Sequence, residues 1–442
     1  MNISEIEIVV KIRKFYQHLF NSRGKFSLLL IAFFFCITLL SSCQSYMNKD
    51  TGVIHLTLWQ SINPPKNRDV FNKLVDRFNY NHQNIKIDSL YAEGLPKILT
   101  AVVGNASPDI LAFDPQLTGQ FAELGAIVPL EEWLEKSPVK SEISPRLFKE
   151  LELEGHQWSI PFYTSNIGIF YRHDLFTKAG ISQPPKTWTE FREVAKKLTI
   201  DKNGDKIPEQ YGMLLPLGKG EWTVFSLFPF LLSSQGEIVI NNRPNLINQG
   251  TINALKFWED LIKDGSATLS PPERGYEEDA FLSGRAAMQI TGPWTYITKS
   301  KVDYQVFPIP ADVTPSTVTG TGGFFIMKTQ PEREKAAFKF LEFVLSEEFQ
   351  TEWAIGTGFL PVNMKSAASP EYQKYLSDKP WLQVFVDQMS VAGSRPILAG
   401  YSRISDSLGR AIEETLLGKS SAEVALQAAQ KRLEVIWPDP NS

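Results

Sequence analysis

The sequence predicts an α/β protein built from mostly parallel sheets flanked by helices. Two observations carry this: hydrophobic periodicity alternates between two and about 3.6 residues from residue 54 onward, and 442 residues exceed what one ordinary core fills. Ile54, Leu56 and Leu58 alternate with His55, Thr57 and Trp59, a strand ending at Gln60-Ser61. Val70, Phe71, Leu74, Val75 and Phe78 follow at helical spacing, and Ile85–Ile87 reads as a short second strand. Pro96 suits the first turn of a helix whose face is Ile98, Leu99, Val102 and Val103. Ile110–Phe113 is a buried strand, and the helix over Leu117–Leu124 stops at Gly125. Strand, helix, strand, helix, strand implies parallel pairing with helices on both faces. In such sheets ligands bind beyond the carboxyl ends of the strands.

The second half repeats these patterns. Thr187-Trp188-Thr189-Glu190 is a capping box, Leu255, Trp258, Leu261 and Ile262 mark a helix face, and Ala286–Ile290 is a strand running into Gly292-Pro293-Trp294. Ile404, Leu408, Ile412 and Leu416 recur every four residues, and Ser420-Ser421-Ala422-Glu423 caps a last helix. No long Pro/Gly/Ser linker separates the halves, so the two domains are expected to be joined by strands.

Hydrophobic content of 43% and charged content of 21% describe a globular body. Lys11, Arg13, Lys14, Arg23 and Lys25 outweigh Glu5 and Glu7 by three charges, so the chain's net −4 becomes −7 beyond residue 42. A body that acidic argues against nucleic-acid binding, which needs cations to replace counterions. Only two cysteines exist, Cys36 and Cys43, so the body has no disulfide, thiolate nucleophile or cysteine-ligated metal. The five histidines form no metal-ligand spacing, and no cofactor is expected.

Phe26–Leu40 is fifteen residues without a charge, preceded by Arg23 and Lys25 and followed by Ser41 and Ser42. That order is the signature of an export signal, and the stretch is short for a spanning helix. Leu40-Ser41-Ser42-Cys43 resembles the bacterial lipobox, which implies a lipid on Cys43. Residues 1–42 are thus expected to be a lipoprotein signal peptide, and 43–52 a polar tether.

Several stretches of the body resemble the family 1 extracellular solute-binding proteins, the maltose-, trehalose- and glycerol-phosphate-binding group. They are Pro108-Asp109-Ile110 with Asp114; Leu124-Gly125-Ala126; Tyr163-Thr164-Ser165-Asn166; Phe281–Met288 leading to Gly292-Pro293-Trp294; Gly322-Gly323-Phe324; and Arg395-Pro396 with Tyr401–Ser405. The resemblance covers roughly residues 53–436, with the motifs in family order. It implies two α/β lobes closing on a ligand, with chain crossings near 160–165, 307–310 and 345–348. The N-lobe would then be residues 53–160 plus 309–345, and the C-lobe residues 161–308 plus 346–442.

A sugar offers C–H faces that stack on aromatic rings and hydroxyl edges that hydrogen-bond, so its site needs both kinds of partner. Trp294 follows Gly292-Pro293 at a strand end and should face the cleft. Trp222, placed in the loop after Gly218–Glu221, is similar in position to a family stacking residue. Trp59 ends the first strand, where the competing role is lobe core, while Trp188 and Trp258 belong to the core. Asp114 follows a buried strand and can accept two hydroxyls; its competing role is to cap the next helix. The resemblance adds Glu93, Tyr163, Gly323 and Arg395 as ligand positions, with an interlobe salt bridge as the other reading of Arg395. Phe324 stands where relatives often carry tryptophan, which implies a smaller platform. Asp201-Lys202-Asn203-Gly204-Asp205 imitates the start of a calcium loop but lacks its later Gly and Glu, and reads as a solvated turn.

The expectation is therefore a lipid-anchored, exported, monomeric binding subunit of an ABC importer. It would take a mono- or disaccharide or related polyol and pass it to a membrane permease, without catalysis. The alternatives are another solute (glycerol-phosphate, polyamine or oligopeptide) or, with no motif for the paired carboxylates, a secreted glycoside hydrolase.

Overall fold

A computed structural model describes residues 52–437, apart from 93, 219 and 272–277. The expected signal peptide, Cys43, nearly all of the tether and Glu93 lie outside the described residues. Among those described, no helix is long and apolar enough to cross a membrane.

The chain forms β1 (Ile54–Gln60), α1 (Pro65–Asn81), β2 (Ile85–Tyr91), α2 (Leu95–Val103), β3 (Ile110–Phe113) and β4 (Ile160–Tyr163). It continues with β5 (Gly168–Arg172), α3 (Trp188–Leu198), β6 (Tyr211–Leu215), α4 (Glu221–Ser233), α5 (Gln249–Lys263), β7 (Ala267–Leu269), β8 (Ala286–Thr291) and β9 (Tyr304–Phe307). Then come β10 (Gly322–Ile326), α6 (Pro331–Leu345), α7 (Glu347–Thr357), α8 (Tyr401–Leu416) and α9 (Ala422–Ile436). The periodicities explain the main ones. Leu56 and Leu58 of β1 are buried while His55 is exposed, and α1 buries Phe71, Leu74, Val75 and Phe78 on one stripe. At α3 the Thr187 hydroxyl accepts from Glu190 N–H and the Glu190 carboxylate accepts from Thr187 N–H, the expected capping box. β2 runs to Tyr91, four residues beyond the strand expected from its apolar stretch. It pairs with β1 along its whole length, from Ile54–Ile85 to Gln60–Tyr91, so backbone bonding carries its polar second half.

The strands make two five-stranded sheets with one design. The first has the order β2-β1-β3-β10-β4, the second β7-β6-β8-β5-β9. In the first, β1 is parallel to β2 and β3, while β10 is antiparallel to both β3 and β4. In the second, β6 is parallel to β7 and β8, while β5 is antiparallel to both β8 and β9. Each sheet is therefore mostly parallel, with a single reversed strand next to one edge. Helices cover both, giving the two-lobed α/β architecture.

Two large cores follow. One gathers Leu56, Leu58, Phe71, Phe78, Phe162, Phe324, Phe340, Phe349 and Trp353 around the first sheet. The other gathers Phe191, Met213, Phe230, Trp258, Met288, Ile404, Leu408 and Leu426 around the second. Trp258 is fully buried there and Trp188 packs against the same core, as their amphipathic helices imply. Burial of large side chains at about 1.5–3 kcal/mol each is what opposes chain entropy in both lobes. Phe324 corrects an expectation. It is fully buried between Phe71 and Phe162 in the first core, so it offers no surface to a ligand.

Candidate functional site

The strand ends of both sheets meet at one cavity of about 410 Å3, lined by Ser61 and Asn63 after β1, Asp114 after β3 and Tyr163 at the end of β4. Gly322 and Gly323, at the start of the reversed β10, join them, so every contribution from the first sheet comes from the same end. The second sheet side supplies Trp294 from the turn after β8, and Glu221, Trp222 and Phe225 from the first turns of α4. Arg395 and Phe359 complete the lining. This is the carboxyl-end crevice that parallel pairing leads one to expect.

Six sequence-derived candidates thus meet: Asp114, Tyr163, Trp222, Trp294, Gly323 and Arg395. Trp59 does not. It is half-buried against the small core of Ile98, Leu111 and Phe121, with the Lys97 ammonium 5.6 Å from its ring centre. Period-2 alternation explains this, since the residue between Leu58 and Gln60 must face the other side of the sheet. Trp222 lines the cavity, but from the first turn of α4 and not from a loop.

Aromatic rings form one wall. Trp294 stacks on Phe359 with centroids 5.2 Å apart and planes 18° from parallel, and Phe359 stacks in turn on Trp353 at 5.9 Å and 5°. Tyr163 lies 4.0 Å from Phe359, and Trp222 meets Trp294 edge-on at 6.3 Å. Two glycines permit this crowding. A Cβ on Gly292 would sit 2.1 Å from the Trp294 ring, and one on Gly322 would sit 2.5 Å from the Tyr163 ring. Only glycine lets the backbone pass that close.

The rest of the lining includes a charged cluster, with the Arg395 guanidinium 4.9 Å from the centre of the Phe225 ring. The Arg395 side chain is only 5% exposed, and its Nη1 donates to Asp114 Oδ2 at 3.2 Å and to Glu221 Oε1 at 2.5 Å. Glu221 is further held by the hydroxyls of Tyr401, at 2.8 Å, and Ser405. Burial opposes the Arg395 charge, but the two carboxylates outweigh burial and raise its pKa above the ordinary guanidinium value. Burial, with the Asp114 charge adding to it, also lifts the Tyr163 phenol well above its usual range. Asp114 fills both roles weighed for it, because its other oxygen, Oδ1, accepts from Gln116 N–H and caps the short turn that follows.

Comparison with known proteins adds to this geometry. The model of the bacterial extracellular solute-binding proteins matches residues 73–377. The chain belongs to that family. Among relatives of this solute-binding protein is the sn-glycerol-3-phosphate-binding periplasmic protein UgpB of Brucella melitensis, 25% identical over 83% of this chain and 89% of that one. The maltotriose-binding protein of Pyrococcus abyssi is 23% identical over 73% of this chain and 69% of that one. Among solved structures, an ABC transporter solute-binding protein of Thermotoga lettingae bound with α-D-tagatose is 25% identical, with a TM-score of 0.76 over 87% of this chain and 99% of that one.

Glu221, Phe225 and Phe359 are among the lining residues of the solute-binding protein that its sequence does not single out. Glu221 shows only as an acid after Gly220, Phe225 lies on a helix whose residues are almost all buried, and Phe359 follows a helix end. The turn that presents Phe359 has a signal: Gly358 has φ +88°, and a Cβ there would meet the Pro293 carbonyl oxygen at 2.5 Å. The Gly292-Pro293-Trp294 turn and the Gly358-Phe359 turn are thereby locked together. The calcium-like segment spends its oxygens on its own backbone: Asp201 accepts from Gly204 and Lys206 N–H, and Asp205 accepts from Ile207 N–H.

Proposed function

We propose that this protein is the exported, lipid-anchored solute receptor of an ABC importer, binding a mono- or disaccharide or a related polyol between its lobes and handing it to a membrane permease. The observation that carries this reading is the cavity. Stacked rings line it together with carboxylates and a guanidinium, the two kinds of partner a carbohydrate requires. A volume near 410 Å3 falls within the range of about 300–1,000 Å3 usual for small-molecule sites. Trp294 and Trp222 stack on the ligand, Asp114 and Arg395 bond its hydroxyls, Tyr163 and Gly323 shape the floor, and Glu93 is a further ligand residue. The lobes divide near 53–160 plus 309–345 and 161–308 plus 346–442, except that Phe162, Phe349 and Trp353 pack in the first core. The acyl anchor is Cys43, and the receptor acts as a monomer at the extracytoplasmic face.

Relatives that carry maltotriose or α-D-tagatose in their names support a sugar; the glycerol-phosphate-binding relative supports the second reading, a phosphorylated polyol. The pairing of Arg395 with two carboxylates favours the neutral ligand, since its Nη1 already serves both. Catalysis is not part of the proposal: it takes Asp114 and Glu221, which both accept from one guanidinium, as fixed polar partners of a ligand. A thermal-shift screen of the body from residue 53 against sugars and polyols tests the reading. At millimolar ligand and micromolar affinity the gain is about 4 kcal/mol. A flat response to all sugars, or steady release of monosaccharide from oligosaccharides, would refute it.

A further inference from the structure

The cavity holds the parts of an anion site. The first turn of the thirteen-residue α4 lines it, and the unpaired N–H groups of a helix start favour negative charge. Arg395 is there too, a side chain whose planar donors suit phosphate. The hydroxyls of Tyr401 and Ser405 converge on the same point as Arg395 Nη1. That point is occupied by the Glu221 carboxylate. One oxygen accepts from Arg395 and Tyr401, the other from Ser405, an arrangement of three donors around one anion. Asp114 accepts from the same Nη1, so among the described lining residues two carboxylates share one cation.

We infer that Glu221 is a specificity-determining residue: its carboxylate stands in for a phosphate and turns phosphorylated solutes away, so that the site takes neutral sugars and polyols. The inference rests on the sugar-binding reading of the same cavity. A phosphate ester entering beside the rings would find Arg395 Nη1 and the hydroxyls of Tyr401 and Ser405 already committed and would meet two negative charges at close range. Like-charge juxtaposition of this kind opposes binding. Neutral hydroxyls meet no such barrier and can donate to the same carboxylates.

The test measures affinity by calorimetry for matched pairs: glucose with glucose 6-phosphate, trehalose with trehalose 6-phosphate, and glycerol with glycerol 3-phosphate. The expected result is that wild-type protein binds the neutral member of at least one pair at least about tenfold more tightly than its phosphate ester. In Glu221→Gln, which keeps one accepting oxygen, turns the other into an NH2 donor and removes the charge, that ratio falls by about tenfold. Tyr401→Phe removes one donor and no charge, and keeps the wild-type ratio. Should Glu221→Gln not fold, Asp114→Asn removes the other carboxylate and gives the same narrowing. Equal wild-type affinity for both members of a pair overturns the inference while leaving sugar binding intact. So does a charge-removing variant that weakens both members in parallel. No binding of any neutral member overturns the sugar-binding reading itself, and this inference with it.

Discussion

Removing the guanidinium of Arg395 should expose the repulsion it suppresses. Both carboxylate oxygens touch the same Nη1, at 3.2 Å from Asp114 and 2.5 Å from Glu221, so they lie within about 5.7 Å of each other. At an effective dielectric near 20, two unit charges at that separation repel by about 3 kcal/mol. Each carboxylate is one-third exposed, so water at the cavity wall reduces the penalty to about 1–3 kcal/mol. Arg395→Met keeps most of the buried side-chain volume and loses the charge, so the effect is electrostatic and not a cavity. Urea unfolding at neutral pH should show this deficit. The double variant Asp114→Asn/Arg395→Met should recover about half of it or more. If Arg395→Met unfolds within about 0.5 kcal/mol of wild type and the double variant gains nothing, the clamp contributes no energy and the reasoning fails.

Further outcomes are open to measurement. Trp294→Ala should weaken sugar binding by about thirtyfold with the circular dichroism spectrum retained; unchanged affinity by calorimetry would remove Trp294 from the site. Gly322→Ala places a methyl 2.5 Å from a Tyr163 ring already held by Phe162 and Phe359, so thermal unfolding should report a loss of about 1–3 kcal/mol. Burial raises the phenols of Tyr163 and Tyr401 and pushes those of Tyr304 and Tyr375 up to about 12. Because folded values exceed the unfolded value near 10, this stability is complete below about pH 10 and falls as pH rises toward 12. Melting temperatures that stay flat from pH 9 to 12 would contradict that sign.

The parts of the site legible in the sequence are those set by local chemistry. Trp294 could be placed because Gly-Pro ends a strand immediately before it, and Asp114 because a short buried run stops at Pro115. Glu221 could not. Its three partners, Arg395, Tyr401 and Ser405, lie 174, 180 and 184 residues away, and nothing local marks a carboxylate that will meet them. Trp222 was expected in a loop because two glycines precede it, yet one residue after Gly220 the helix begins, its first turn held by a buried apolar run. Phe324 misled for another reason. Every residue of β10 is buried, so alternation cannot tell which face turns to the core and which to the cleft.

The reversed strand of the first sheet carries a consequence for how the chain is made. β10 sits between β3 and β4, yet it is synthesised only after the whole second sheet, because residues 168–307 intervene. A nascent chain ending near residue 200 holds β4 with no neighbour on the sheet, and Phe162 without Phe324 to pack on. The first sheet is therefore begun before the second and closed only after the second is complete. A fragment cut at the first crossing would be an open sheet with one strand missing, not a free-standing domain.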